Sequence, residues 1–367
     1  MTNLKQFLEE HSMPAAPELV VEEDGALRCV ACANRCLIRE GQSGICQVRF
    51  NREGELRVPG GYVAGLQVDP IEKKPLFHVF PGSDALSFGM LSCNFHCPFC
   101  QNWLSSQVMR EDYSVAQPHL CTAEQVVAAA TDRGAPVMVS TYNEPLITSD
   151  WAVEVFARAR EKDLVCGYVS NGYASPEVIE FLRPYVKLYS IDLKCFDEDN
   201  YRWLGGSLKP VLETIERLKT LQSWVEVVTL VVPGFNDSAE ELGAIAKFIA
   251  GVSPDIPWHV TAFHPDYKMT DVRRTTAQDL DRAYGLGKGA GLRFVYSGNL
   301  PGNVGERENT YCPSCNALLV ERRGFFVTQN RMRANQCPEC NATIPGVWED
   351  EPPRKARGRG RVRAVEL

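Results

Sequence analysis

No stretch of about 18 uncharged apolar residues occurs in this chain of 367 residues, so no transmembrane helix is expected. The first ten residues, Met-Thr-Asn-Leu-Lys-Gln-Phe-Leu-Glu-Glu, lack the apolar core of a secretory signal. A cytoplasmic protein with no membrane partner is expected. Basic charge is in deficit as well: the net charge is −7. The stretch from Pro352 to Leu367 carries six basic residues against one acid, which leaves the rest of the chain more acidic still. Such a body is not that of a dedicated nucleic-acid binder. No nucleotide-binding or methyl-acceptor motif stands out.

Cysteine is abundant. There are 14, and most fall in three clusters: Cys29, Cys32, Cys36 and Cys46; Cys93, Cys97 and Cys100; Cys312, Cys315, Cys337 and Cys340. In a chain of this size without a secretory signal, clustered cysteines point to metal rather than to disulfides. Cys121, Cys166 and Cys195 stand alone and are read as buried small hydrophobes.

The middle cluster organises the chain. Cys93-x-x-x-Cys97-x-x-Cys100 places three thiolates within eight residues, with no fourth cysteine nearby. Three thiolates can hold three irons of a [4Fe-4S] cluster and leave the fourth iron open. S-adenosylmethionine (SAM) can chelate an open iron through its amino and carboxylate groups, and an electron delivered to its sulfonium breaks a carbon–sulfur bond. The competing structure for this spacing is a zinc knuckle short of one ligand. The four N-terminal cysteines could close a tetrahedral zinc site or hold a second cluster; spacing alone does not separate the two. The two CxxC knuckles near the C-terminus predict a zinc ribbon, with a rubredoxin-like iron site as the alternative. Asn316 and Asn341 follow those knuckles, where the turn favours a residue that tolerates positive φ.

Between the clusters the chain alternates strand and helix. Apolar runs at 85–91, 137–141, 164–169, 188–193, 224–232, 258–263 and 292–296 read as strands, and 66–81 as a mixed approach segment. Thr122 with Gln125 forms a capping box, while Ser149, Ser175-Pro176 and Ser238 are expected to open helices. Six or seven βα units predict an α/β fold, a partial (β/α)6-type TIM-like barrel. Polar residues gather where the strands end: Asn143 and Glu144, Ser170 and Asn171, Asp192 and Lys194, Asn236 and Asp237, His264, and Asn299. At the C-terminal face of a parallel barrel such residues build a site. The expected division is a Cys-rich module over 1–65, the barrel over 66–307, the ribbon over 308–348 and a basic, disordered tail over 349–367.

The chain resembles the radical SAM enzymes of the AmmeMemoRadiSam system, relatives of the pyruvate formate-lyase activating enzymes. The resemblance rests on Cys29-x-x-Cys32-x-x-x-Cys36, Ile71-Glu72-Lys73-Lys74-Pro75-Leu76, Cys93 to Asn102, Thr141-Tyr142-Asn143-Glu144-Pro145, Ser170-Asn171-Gly172, Phe263-His264-Pro265-Asp266-Tyr267 and Thr310-Tyr311-Cys312-Pro313. It implies a radical SAM barrel with a [4Fe-4S] cluster on Cys93, Cys97 and Cys100. It further implies that Glu144 receives the SAM amino group, that Ser170 and Asn171 contact its ribose and carboxylate side, and that Phe99, Asn143, Asp192 and His264 line the cofactor. Val169 departs from the pattern: activating enzymes often carry an acid there, for a monovalent cation. Implied partners are a reductant such as flavodoxin or ferredoxin, and a Memo-like or Ammecr-type protein. The expected activity is reductive cleavage of SAM to a 5′-deoxyadenosyl radical that takes hydrogen from a protein or small molecule. The alternative is an electron-transfer or metal-binding protein that holds RNA or a partner through its basic tail.

Overall fold

The computed structural model describes residues 4–111, 116–349 and 363–365. Its centre is a nine-stranded sheet. The strands are β1 (Gly65–Pro70), β2 (Asp84–Gly89), β3 (Val137–Ser140), β4 (Val165–Ser170), β5 (Leu188–Asp192), β6 (Trp224–Val231), β7 (Trp258–Ala262), β8 (Val295–Gly298) and β9 (Arg363–Ala364). From β2 to β8 the neighbours follow sequence order and pair in parallel. β1 lies antiparallel on β2, and β9 antiparallel on β1. Among the described residues β8 pairs with β7 alone, so the sheet is open: a partial barrel. The helices that follow the parallel strands are α1 (Ala123–Asp132), α2 (Ser149–Arg160), α3 (Pro176–Leu182), α4 (Glu198–Leu204), α5 (Leu208–Thr220), α6 (Ala239–Val252) and α7 (Ala277–Gly289). Every residue of β3 and of β7 is buried, as continuous apolar strands covered on both faces must be.

The helix starts follow local chemistry. Thr122 and Gln125 form the expected capping box, and Ser175 and Ser238 cap α3 and α6. Ser149 does not cap α2. A 3₁₀ turn over Pro145–Thr148 precedes that helix, so Ser149 is already helical and its hydroxyl donates back to the Pro145 and Leu146 carbonyls, at 3.3 and 3.0 Å. The expected approach segment begins with the strand β1; the rest crosses the N-terminal end of the barrel. Glu226, early in β6, accepts hydrogen bonds from the Phe77 and His78 amides at 3.0 and 2.8 Å and from His259 Nε2 at 2.6 Å, and so closes that end.

The flanking segments pack into the barrel. Leu8, Leu19, Leu27, Cys29 and Cys46 belong to the same apolar core as Phe88, Trp151 and Ile179. A fully buried ion pair of Arg49 and Asp150 ties the N-terminal segment to α2. The C-terminal ribbon, strands Leu318–Arg323 and Phe326–Asn330, shares a second core with Phe77, Phe294 and Tyr296. Its Arg322 donates to the Phe77 carbonyl at 2.7 Å and lies 4.4 Å over the Phe77 ring. Of the tail expected to be disordered, residues 350–362 and 366–367 lie outside the described residues. Arg363 and Ala364 depart from that expectation, since they add a strand to the open edge of β1.

Candidate functional site

A cavity of about 420 Å³ opens at the C-terminal ends of the parallel strands. Cys93, Cys97 and Cys100 line one side; Glu144, Ser170, Asn171 and Asp192, from three successive strand ends, line the other. Pockets of this size suit small-molecule ligands.

The cysteine loop leaves β2 at Gly89. A Cβ there would lie 2.4 Å from the Thr141 carbonyl oxygen, so only glycine lets the ends of β2 and β3 come this close. Ser92 takes a left-handed turn (φ 74°), with its amide on the Ser105 carbonyl at 2.9 Å and its hydroxyl on the Cys46 carbonyl at 2.5 Å. The loop is thereby held at both ends, and Phe95 packs its ring on Tyr173 and Tyr201. Burial raises all three thiols, Cys97 to about 12. A cationic metal centre bound here would hold all three as thiolates. Their sulfurs are not gathered within the 4.8 Å span of a single-ion site, a span that the C-terminal quartet alone meets among the described residues. One zinc spaces its sulfurs by about 3.8 Å, whereas thiolates around a four-iron cluster stand roughly 6 Å apart.

Glu144 is buried at the head of the cavity. It accepts the Ser170 hydroxyl at 2.7 Å, the Asn171 amide at 2.7 Å and the Leu146 amide at 3.0 Å. Burial nevertheless raises its carboxyl from 4.5 to about 7, against those three donors and Lys194. The site therefore presents one poorly compensated acid, ready for a cationic group. Tyr142, just before the Asn143-Glu144 pair, has φ 72°, a strained conformation for an aromatic residue. Its hydroxyl is held by Gln67, Asp69 and Lys74, so the Ile71-to-Leu76 motif acts by anchoring this turn.

The other expected residues divide. Phe99 is buried in the cavity wall, 5.4 Å from the Phe235 ring. Asn171 donates to Asn94 Oδ1 at 2.8 Å, which joins the fourth strand end to the cysteine loop. Asn143 lines the cavity, but its amide group is spent on the Met90 amide at 3.0 Å and the Glu144 carbonyl at 3.3 Å. Asp192 pairs with Lys194 at 3.0 Å. His264 is not brought into the cavity. The chain turns outward after the buried Phe263, and the exposed imidazole meets Gln101 at 3.0 Å, on the rim. Asn236 and Asp237 are turn residues, bonded to the backbone of 194, 230, 232 and 234. In the ribbon, Cys312 and Cys340 lie 3.6 Å apart, as do Cys315 and Cys337, a separation that fits four sulfurs around one tetrahedral ion. Asn316 and Asn341 take φ 60° and 58°, as expected after such knuckles.

The sequence pattern of the Radical SAM superfamily matches residues 89–249, the span that contains the cysteine loop and the Glu144 and Ser170 turns. An uncharacterized protein, MJ0808 of Methanocaldococcus jannaschii, is 39% identical over 326 residues, 88% of this chain and 96% of its own. Residues 89–249 of this chain thus form a radical SAM domain. The isethionate sulfite-lyase activating enzyme of Oleidesulfovibrio alaskensis is 30% identical over 122 residues, 32% of this chain and 40% of its own. The pyruvate formate-lyase-activating enzyme of Staphylococcus aureus is 22% identical over 215 residues, 52% of this chain and 84% of its own. Superfamily membership implies a [4Fe-4S] cluster and SAM, and the donor set fits: three soft thiols more widely spaced than a single ion requires, facing a buried carboxylate.

Two residues of this radical SAM site gain weight from the structure. Lys194 lines the cavity and sets its charge near Cys97, Cys100 and Glu144. In the sequence it was one more polar strand-end residue, and only the fold shows which charges it faces. Asn94 lies inside the CxxxCxxC loop, where the cysteines alone draw notice. Its Nδ2 is buried, and the side chain is directed toward Cys32 of the N-terminal set.

Proposed function

We propose that this chain is an enzyme that cleaves S-adenosylmethionine reductively and directs the resulting 5′-deoxyadenosyl radical to hydrogen abstraction from a protein or small-molecule substrate. One observation carries the reading: a loop of three cysteines faces, across a single cavity, a buried carboxylate fixed by two neighbouring strand ends. When bound, the cluster supplies the electron that splits the sulfonium and an open iron that holds the cofactor's amino and carboxylate groups. The protein's share is binding and orientation. Glu144, its carboxyl pushed up to about 7 when empty, is placed to draw in the cofactor's amino end and to take the proton that the ammonium must give up before its nitrogen can bind iron. Ser170 and the Asn171 amide fix the two carboxylate oxygens and hold that acceptor in one orientation. Lys194, paired with Asp192, offsets the charge of the nearby thiolates. Phe99, backed by the Phe235 ring, gives the cavity an apolar flank.

Within the superfamily, the motifs from Cys29 to Pro313 support a place in the AmmeMemoRadiSam system. The proposed electron donor is of the flavodoxin or ferredoxin class, and the Memo-like and Ammecr-type proteins are candidate substrates. The test is anaerobic incubation of the reconstituted, reduced chain with SAM, with and without those proteins. 5′-Deoxyadenosine should form slowly alone and faster with the true substrate, whose mass change is read directly. A fully loaded, reduced cluster that yields none would defeat the proposal.

A further inference from the structure

We propose that Cys29, Cys32, Cys36 and Cys46 hold a second [4Fe-4S] cluster, which relays electrons to the cluster on Cys93, Cys97 and Cys100. The relay part rests on the function proposed above; the cluster itself does not.

Sulfur spacing separates zinc from iron. Among the described residues, the C-terminal quartet is the only group whose ligand atoms lie within 4.8 Å of one another. The N-terminal quartet fails that test, as does the triad. Yet its members are neighbours: the Cys29 amide bonds the Cys36 carbonyl at 2.9 Å, and Cys32, Cys36 and Cys46 all lie within electrostatic reach of Cys29. Four thiols that are close but too wide for one ion match the larger frame of a four-iron centre.

The surroundings suit a buried, negatively charged cluster. Arg49, 1% exposed, donates from Nε to Cys29 Sγ at 3.1 Å and pairs with Asp150 behind it. A guanidinium stays charged in such a site and gives the adjacent sulfur a cationic hydrogen-bond donor. The buried Asn34 Nδ2 has no hydrogen-bond partner, and the Asn94 side chain is directed toward Cys32. Cluster sulfur would accept those N–H groups, the kind of bond that tunes a cluster's potential.

The location makes a relay. Asn94 stands between the two cysteine sets, beside Cys32 on one side and with its Oδ1 3.7 Å from Cys93 Sγ on the other. The Arg110 guanidinium bridges the Ile45 carbonyl at 2.8 Å and the Cys93 carbonyl at 3.0 Å. On the far side, Cys36 is half-buried and the neighbouring Ile45 is 51% exposed, which offers an apolar spot for a docking donor. Four cysteines leave no iron open, so electron transfer rather than ligand binding is the fitting role. One electron enters from a low-potential donor of the flavodoxin or ferredoxin class and moves on to the triad's cluster. The second cluster is then returned to its oxidised state.

The test is metal counting on the full-length chain after anaerobic reconstitution with iron and sulfide. About eight irons and about one zinc per chain are expected. The triple variant Cys93→Ala/Cys97→Ala/Cys100→Ala should keep about four irons, with an electron paramagnetic resonance signal that SAM does not shift. About four irons with two zincs in the wild type overturns the proposal, and so does a folded triple variant without iron. The wild-type count decides even where the variant does not fold. For the relay, Cys36→Ala should lower the ratio of flavodoxin-driven to dithionite-driven 5′-deoxyadenosine formation at least tenfold; an unmoved ratio overturns that role. A wild type with all its iron but no 5′-deoxyadenosine would instead count against the proposed function.

Discussion

Glu144 joins the residue chemistry to the whole site. It is buried, accepts three hydrogen bonds and still has its carboxyl raised from 4.5 to about 7, because burial outweighs the donors. The sign follows directly. The folded chain keeps this proton to a higher pH than the unfolded chain does, so Glu144 costs stability as pH climbs from 4.5 to about 7. A bound cofactor whose amino group and Glu144 together keep a single proton reverses that cost. SAM binding should therefore strengthen as pH rises through about 7, with a proton released on binding. Titration calorimetry in buffers of different ionisation enthalpy reads both. Glu144→Gln should leave the cluster's visible absorption intact, flatten the pH dependence and weaken SAM binding by about ten- to a hundredfold, the equivalent of about 1.5–3 kcal/mol for a charged hydrogen bond. The residue was legible in the sequence because a strand end preceded it and an acid there suits an ammonium. The placement of His264 was not, because the outward turn after Phe263 depends on tertiary packing.

At the scale of elements, legibility follows the range of the forces involved. The parallel strands announced themselves as apolar runs and the caps as Ser and Thr at helix starts, since both signals are local. β1 was missed because Gly65 to Pro70 is a mixed segment that becomes a strand only by pairing with β2. β8 was placed at 292–296 but runs from Val295 to Gly298, since the first residues of the apolar run form the turn out of α7. The junction of β2 and β3 gives an element-scale prediction. Gly89→Ala puts a methyl group where the Thr141 carbonyl already stands, 2.4 Å away. The two strand ends must separate, at a cost of about 1–3 kcal/mol for overpacking. Thermal melting should show the loss, and SAM binding should fall because Glu144 moves off the cysteine loop, while iron content stays. The ribbon gives another. Cys312 and Cys337 sit in one apolar core with Phe77, Phe294 and Tyr296 of the barrel end. If the ribbon's four cysteines hold a metal, stripping it with a chelator should therefore lower the melting temperature of the whole chain rather than release a floppy appendage. Zinc release measured alongside circular dichroism checks this; an unchanged melt of a metal-free chain would count against a structural metal there.

Across the described residues, the N-terminal segment, the barrel and the ribbon pack continuously. The N-terminal segment shares the main core with the barrel, and Arg49 and Asp150, both 1% exposed at their side chains, form an ion pair across that seam. Asp150 also accepts the Ala16 amide at 2.7 Å, and the Arg49 guanidinium reaches the Ile147 carbonyl at 3.2 Å. The ribbon is keyed into the opposite side by Arg322, buried against Phe77 and 3.4 Å from Glu72. Segments joined by buried, hydrogen-bonded charges cannot open without exposing unpaired ions to an apolar seam, so they should unfold together. The chain is thus expected to melt in one transition, with tryptophan fluorescence and far-ultraviolet circular dichroism coincident. Asp150→Ala is the sharpest probe of that coupling. It leaves the Arg49 charge buried with no carboxylate and should cost about 3–5 kcal/mol, the range for breaking one partner of a buried pair. Arg49→Met/Asp150→Leu removes both charges and should recover much of that loss, because the desolvation cost disappears with the pair. Denaturant unfolding of the two variants and the wild type separates the outcomes. If Asp150→Ala instead splits the melt into two transitions, the N-terminal segment is an independent unit and the seam is not what holds it.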